Sequence, residues 1–116
     1  MITLFRGSPI ILAWDEDITN GFETGIIDIS NTIVHSLFYK ISTGEIITIT
    51  IAKGFEKDGV QYFTDWEDLE PDKISSVQGD DNFHLIGLSL PYCQFIKFQI
   101  QGTSTSARLI FMQGAQ

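Results

Sequence analysis

Apolar and polar residues alternate with period two along much of this chain. In Ile46 to Ala52, Ile47, Ile49 and Ile51 point one way while Thr48 and Thr50 point the other. That alternation buries one face of a strand and wets the other, whereas a helix would scatter the same residues around its axis. Gln94 to Gln101 repeats it, with Ile96, Phe98 and Ile100 opposed by Lys97, Gln99 and Gln101. In Ile33 to Ile41, Ile33, His35, Leu37, Tyr39 and Ile41 share one face; Val34, Ser36, Phe38 and Lys40 share the other. Phe83 to Leu90 places His84, Ile86, Leu88 and Leu90 together, and Ala107 to Met112 turns Leu109 and Phe111 inward.

Shorter strands are predicted at Ile10 to Trp14, at Phe22 to Ile29 with a bulge or close approach at Gly25, and at Val60 to Phe63. Asp58-Gly59 supplies the positive torsions of a tight hairpin. Gly7-Ser8-Pro9 and Ser42-Thr43-Gly44-Glu45 read as turns. Thr64-Asp65-Trp66-Glu67 has the form of a capping box, which predicts one helical turn near Trp66 to Leu69. Lys73 to Asp81 reads mostly as linker, and Pro91 ends the strand before it. The prediction is therefore all-β: an antiparallel β-sandwich or jelly-roll-like fold of seven to nine short strands, forming a single domain over 1-116.

Composition narrows the partners. The chain has 116 residues, 43% of them hydrophobic and 19% charged. A surface poor in charge and rich in Thr, Ser and Gln suits contact with other surfaces. The net charge of -8, from 15 acids against 7 bases, disfavours direct nucleic acid and anionic membrane partners. The start at Met1 does not read as a secretory signal, and no apolar stretch reaches membrane-spanning length. Cys93 is a single cysteine, so no intrachain disulfide forms; between Tyr92 and Phe95 it reads as a buried thiol.

No constellation of catalytic residues emerges. His35 and His84 lie on apolar-looking strand faces and read as core or semi-buried histidines. Asp15, Asp17, Thr19 and Gly21 faintly resemble a calcium loop, but the glycine falls one position late and Ile26 replaces the closing acid. Asp65, Glu67, Asp68, Glu70 and Asp72 read as a solvated acidic loop. Nucleophile-elbow, phosphate-loop and dinucleotide patterns are missing. No enzyme activity, cofactor or metal is expected. Trp14, Tyr62, Trp66 and Tyr92 are the candidate interface or ligand contacts, each with a competing role in the core.

The carboxy-terminal half resembles small β-sandwich structural proteins of tailed bacteriophages, such as decoration, fibre-associated or minor virion components. The resemblance rests on Asp58-Gly59-Val60-Gln61-Tyr62-Phe63, on Phe83 to Leu90, on Pro91-Tyr92-Cys93-Gln94-Phe95-Ile96-Lys97-Phe98, and on Gly102-Thr103-Ser104-Thr105-Ser106-Ala107-Arg108-Leu109. It spans roughly residues 45 to 112. It implies a non-enzymatic virion protein, assembled in the host cytoplasm, that meets other virion proteins and copies of itself; a trimer is one option. The alternative is a carbohydrate-binding module that presents Trp66, Tyr62 and Tyr92 to a glycan.

Overall fold

The computed structural model describes residues 9–69, 76–90 and 93–114. Among them eleven strands form two antiparallel sheets. The first sheet, sheet A, contains β1 (Ile10–Glu16), β4 (Val34–Lys40), β9 (His84–Leu88) and β11 (Ala107–Gly114), in the order β1-β11-β4-β9. The second, sheet B, is built on β5 (Ile46–Lys57) and β10 (Phe95–Gly102). Two short strands, β2 (Phe22–Glu23) and β3 (Ile27–Asp28), pair successive stretches of β10. Three more, β6 (Val60–Phe63), β7 (Glu67–Asp68) and β8 (Ser76–Gln78), pair successive stretches of β5.

Because β5 and β10 pair with each other, these fragments occupy their opposite edges. β2 and β3 act as one broken strand, and β6 to β8 as another. Counted so, the sandwich has eight ribbons in the orders 1-8-3-6 and 2-7-4-5, the winding of a jelly roll. The seven to nine strands predicted match the ribbons; the larger number comes from edges broken into pieces of two to four residues. Short, interrupted edges discourage pairing with another chain.

The alternating isoleucines form the core as their period requires. Ile47, Ile49, Ile51, Ile96, Phe98 and Ile100 are almost wholly buried from sheet B, and Leu37, Leu109 and Phe111 from sheet A. Phe98 meets Phe111 across the gap at 5.8 Å between ring centroids. Such inclined aromatic pairs add to the gain from burial alone.

Several local expectations need correction. Thr64 caps no helix. Its hydroxyl accepts the Lys53 amide at 3.1 Å, and Glu67–Asp68 pair with β5 as β7. The unpaired edge of β5 wins over a one-turn helix because each residue added there satisfies backbone groups. For the same reason the linker after Lys73 contains β8. Ile33 lies outside β4 and is 68% exposed, so it leaves the inward face shared by His35, Leu37, Tyr39 and Ile41. Asp58 and Gly59 adopt φ of 52° and 79°, as the hairpin turn demands. The Gly7-Ser8 part of the first turn, with Glu70, Asp72, Pro91 and Tyr92, lies outside the described residues.

Candidate functional site

An apolar row crosses the solvent side of sheet A. Pairing aligns Ile11 with Ile110, Ile110 with Phe38 and Phe38 with Leu85, a row that crosses all four strands. Ile11 is 54% exposed and Leu85 59%. Val34 and Met112 extend the patch toward the end of β4. With strands about 4.8 Å apart and seven residues each rising about 3.3 Å, the face measures roughly 19 by 23 Å.

At the other end of this face two bulges shape β1. Ala13 pairs with Leu109 and Glu16 with Ala107, which leaves Trp14 and Asp15 together opposite Arg108. A bulge re-aims side chains in this way. Arg108 places its guanidinium 4.2 Å from the centroid of the Trp14 ring and donates to both Asp15 carboxylate oxygens, at 2.7 and 3.1 Å. Those hydrogen bonds hold the Asp15 carboxyl below its ordinary value. Trp14 lies 6.5 Å from Phe83, whose ring carries Lys40 Nζ at 5.7 Å. Both rings are 46% exposed.

The other candidate aromatics belong to sheet B. Tyr62 is exposed on the β5–β6 hairpin and stacks on Phe55 at 5.4 Å. Trp66 is partly buried, and Lys97 Nζ sits 5.2 Å from its ring and 4.6 Å from that of Phe63. Trp14 therefore does not share a surface with Tyr62 and Trp66. Phe38, Leu85, Ile110 and Phe83 were missed as surface residues. The signal was present in β4, where Val34 and Phe38 put apolar groups on the side opposite Leu37 and Tyr39.

The histidines part ways. His35 is buried, stacks on Phe111 at 6.1 Å and bonds the Thr32 hydroxyl at 2.9 Å; burial holds its pKa below the ordinary imidazole value. His84 keeps its inward register, stacking on Tyr39, but lies at the end of an edge strand and is exposed. Asp80 binds it at 2.8 Å. The reading of His84 as a core or semi-buried residue is thus corrected. Cys93 is partly buried, which pushes its thiol up. Asp17 accepts from the amide and hydroxyl of Thr19, and Glu67 pairs with Lys53 at 3.2 Å. Among the described residues no three His, Cys, Asp or Glu side chains group as a metal site, and no helix is long and apolar enough to cross a membrane.

Fold and surface together define a jelly-roll sandwich whose first sheet carries a row of four apolar side chains across its outer face. No family model and no curated protein sequence matches the chain. Among solved structures, it superposes on a chain of the structure of infectious bursal disease virus, Gx strain, with a TM-score of 0.50 and 15% identity. The match covers 96% of this chain and 32% of that one, so this chain spans about a third of its length. At this identity the likeness is one of fold.

Proposed function

We propose that this chain is a non-enzymatic virion structural module that packs against neighbouring subunits through the outer face of sheet A. The observation that carries the reading is the Ile11–Ile110–Phe38–Leu85 row. A contiguous apolar patch of several hundred Å2 marks an interaction surface, and a sheet apolar on both sides is one built to be covered. A flat apolar face packs on another sheet without rearrangement. The fold shared with a chain from a virus structure supports this reading. The particle is that of a tailed bacteriophage, on the pattern of residues 45 to 112, and the subunit is a capsid or tail component assembled in the host cytoplasm. Copies of the chain associate with one another and with other virion proteins.

Sedimentation velocity over a concentration series tests this. The chain is expected to associate, and Ile11→Lys or Leu85→Lys to weaken association at least about 10-fold, since a buried unpaired charge is costly at an interface. Both positions are exposed, so folding stability should change by no more than about 0.5 kcal/mol. A wild-type chain that stays monomeric up to about 1 mM, the weak limit of useful affinity, would overturn the proposal.

A further inference from the structure

Beyond assembly, the geometry points to a binding site for one neutral pyranose at the end of sheet A, where Trp14 and Phe83 border a polar recess. The recess has a volume of about 120 Å3 and is lined by Asp15, Lys40, Ser42, Asp81, Ser106 and Arg108. Its walls come from three strands and three loops, and the loop carrying Asp81 is tied down. The Asp81 amide donates to the Ile41 carbonyl at 2.9 Å, and the Gly79 amide to the Glu45 carbonyl at 2.7 Å.

Two of the four charges neutralise each other, because Arg108 is committed to Asp15. The other two make no ion pair among the described residues: the Lys40 ammonium lies over the Phe83 ring at 5.7 Å, and the Asp81 carboxylate faces the recess charges without a direct partner. A neutral ligand seated here can offer a donor to Asp81 and an acceptor to Lys40 and leaves the balance of the four charges undisturbed. Adjacent hydroxyls of a sugar do both, each being donor and acceptor. The Ser42 and Ser106 hydroxyls add partners of the same kind.

The aromatic border supplies the other half of sugar chemistry. A pyranose has an apolar face of C–H groups that lies on an aromatic ring, while its edge makes hydrogen bonds. Trp14 and Phe83 meet the recess through two of its lining residues, Arg108 over the indole and Lys40 over the phenyl ring, and each aromatic residue is 46% exposed. The Arg108 guanidinium braces the indole, so less rotamer freedom is lost on binding. The recess takes the hydroxylated edge of the ring and the aromatics take its face. This aromatic pair lies at the end of sheet A, apart from Tyr62 and Trp66 of sheet B, and among the described residues it alone adjoins a recess lined by both hydroxyls and charges.

An NMR titration of the isotope-labelled chain tests the site, with methyl glycosides of glucose, galactose, mannose and N-acetylglucosamine as probes. At least one should shift the Trp14 indole N–H and the Asp81 and Ser106 amides, saturating in the millimolar range. Asp81→Asn should weaken binding about 10-fold or more, the size expected for one charge-assisted hydrogen bond, and Trp14→Ala about 10-fold through the lost contact with the sugar face. Asparagine tolerates the left-handed backbone at residue 81 (φ 65°), so Asp81→Asn preserves the loop. Tyr62→Ala should leave binding unchanged. No saturable binding up to about 10 mM overturns the proposal, as do shifts confined to Tyr62 and Trp66. So does binding only of glucuronate or N-acetylneuraminate that ignores Asp81→Asn. Subunit association is read by sedimentation, so either proposal can fail alone.

Discussion

Two rows of side chains, one on the outside of each sheet, are built to opposite rules. Across sheet A the row is Ile11, Ile110, Phe38 and Leu85; across sheet B it is Glu23, Gln99, Thr50 and Asp68. On sheet B, Thr50 donates to Gln99 at 3.3 Å, and every member of the row can be wetted. On sheet A no member of the row can hydrogen-bond through its side chain. The inner faces do not share this contrast, since both are dominated by buried Ile, Leu and Phe. Folding demands only the inner pattern. The outer apolar row on sheet A is surplus to it, and that surplus directs attention to sheet A as the face that meets something else.

If the inner faces are equivalent, truncating either side of their central contact should do equal damage. Phe98→Ala from sheet B and Phe111→Ala from sheet A should each cost about 3–5 kcal/mol in denaturant unfolding, by lost burial and a residual cavity. Their double mutant should cost less than the sum, because the two rings touch. A large asymmetry would show that one sheet alone carries the core.

Glycines sharpen the contrast at a smaller scale. A Cβ at Gly102 in sheet B would collide with the Ile46 carbonyl and lie 2.9 Å from the Ile18 side chain. Backbone cannot swing aside as a side chain end can, so Gly102→Ala should cost about 1–3 kcal/mol. Gly87 on sheet A meets nothing within 4 Å of the same added atom. Gly87→Ala should be neutral or stabilise by up to about 1 kcal/mol, because glycine weakens a strand relative to alanine. Thermal unfolding of the two variants would measure the difference.

The same contrast explains what the sequence could reveal. Strands β5 and β10 were legible because their outer faces are polar and the period of two stands out in Ile47-Thr48-Ile49-Thr50-Ile51. The hairpin was legible from Asp58-Gly59. β7 and β8 were not, since two or three residues carry no period and form only because β5 offers a free edge. At the surface, Trp14 was noticed by residue type, but its neighbours Arg108, Lys40 and Phe83 come from three separate segments. Only the bulges in β1 and the order β1-β11-β4-β9 bring them together. The alternation put Phe38 and Ile110 on the faces opposite Leu37, Leu109 and Phe111, but only the strand order joins them with Ile11 and Leu85 into one row.

One difference between the inner faces is polar, and pH exposes it. Sheet A buries His35 beside Phe111, whereas the inward positions of β5 and β10 carry Ile and Phe at their centres. Burial holds the folded His35 below its ordinary value of about 6.5. As pH falls through that value, the unfolded chain takes up a proton that the folded chain refuses. Stability should therefore decline as pH drops below about 6.5, and the decline should level off below the folded pKa. Above 6.5 His35 contributes no pH dependence. The carboxylates held low by hydrogen bonds, Asp15, Asp17, Asp28 and Asp80, act in a lower window. Their stabilisation is present above about 3.8 and is lost as pH falls through their folded values. His35→Gln keeps a polar group for Thr32 and removes the titration. Its stability, measured by urea unfolding from pH 7 to pH 5, should lose the part of the acid slope that starts near 6.5 while the wild type keeps it. Equal slopes in the two proteins would mean that the buried imidazole of sheet A is not what distinguishes the inner faces in acid.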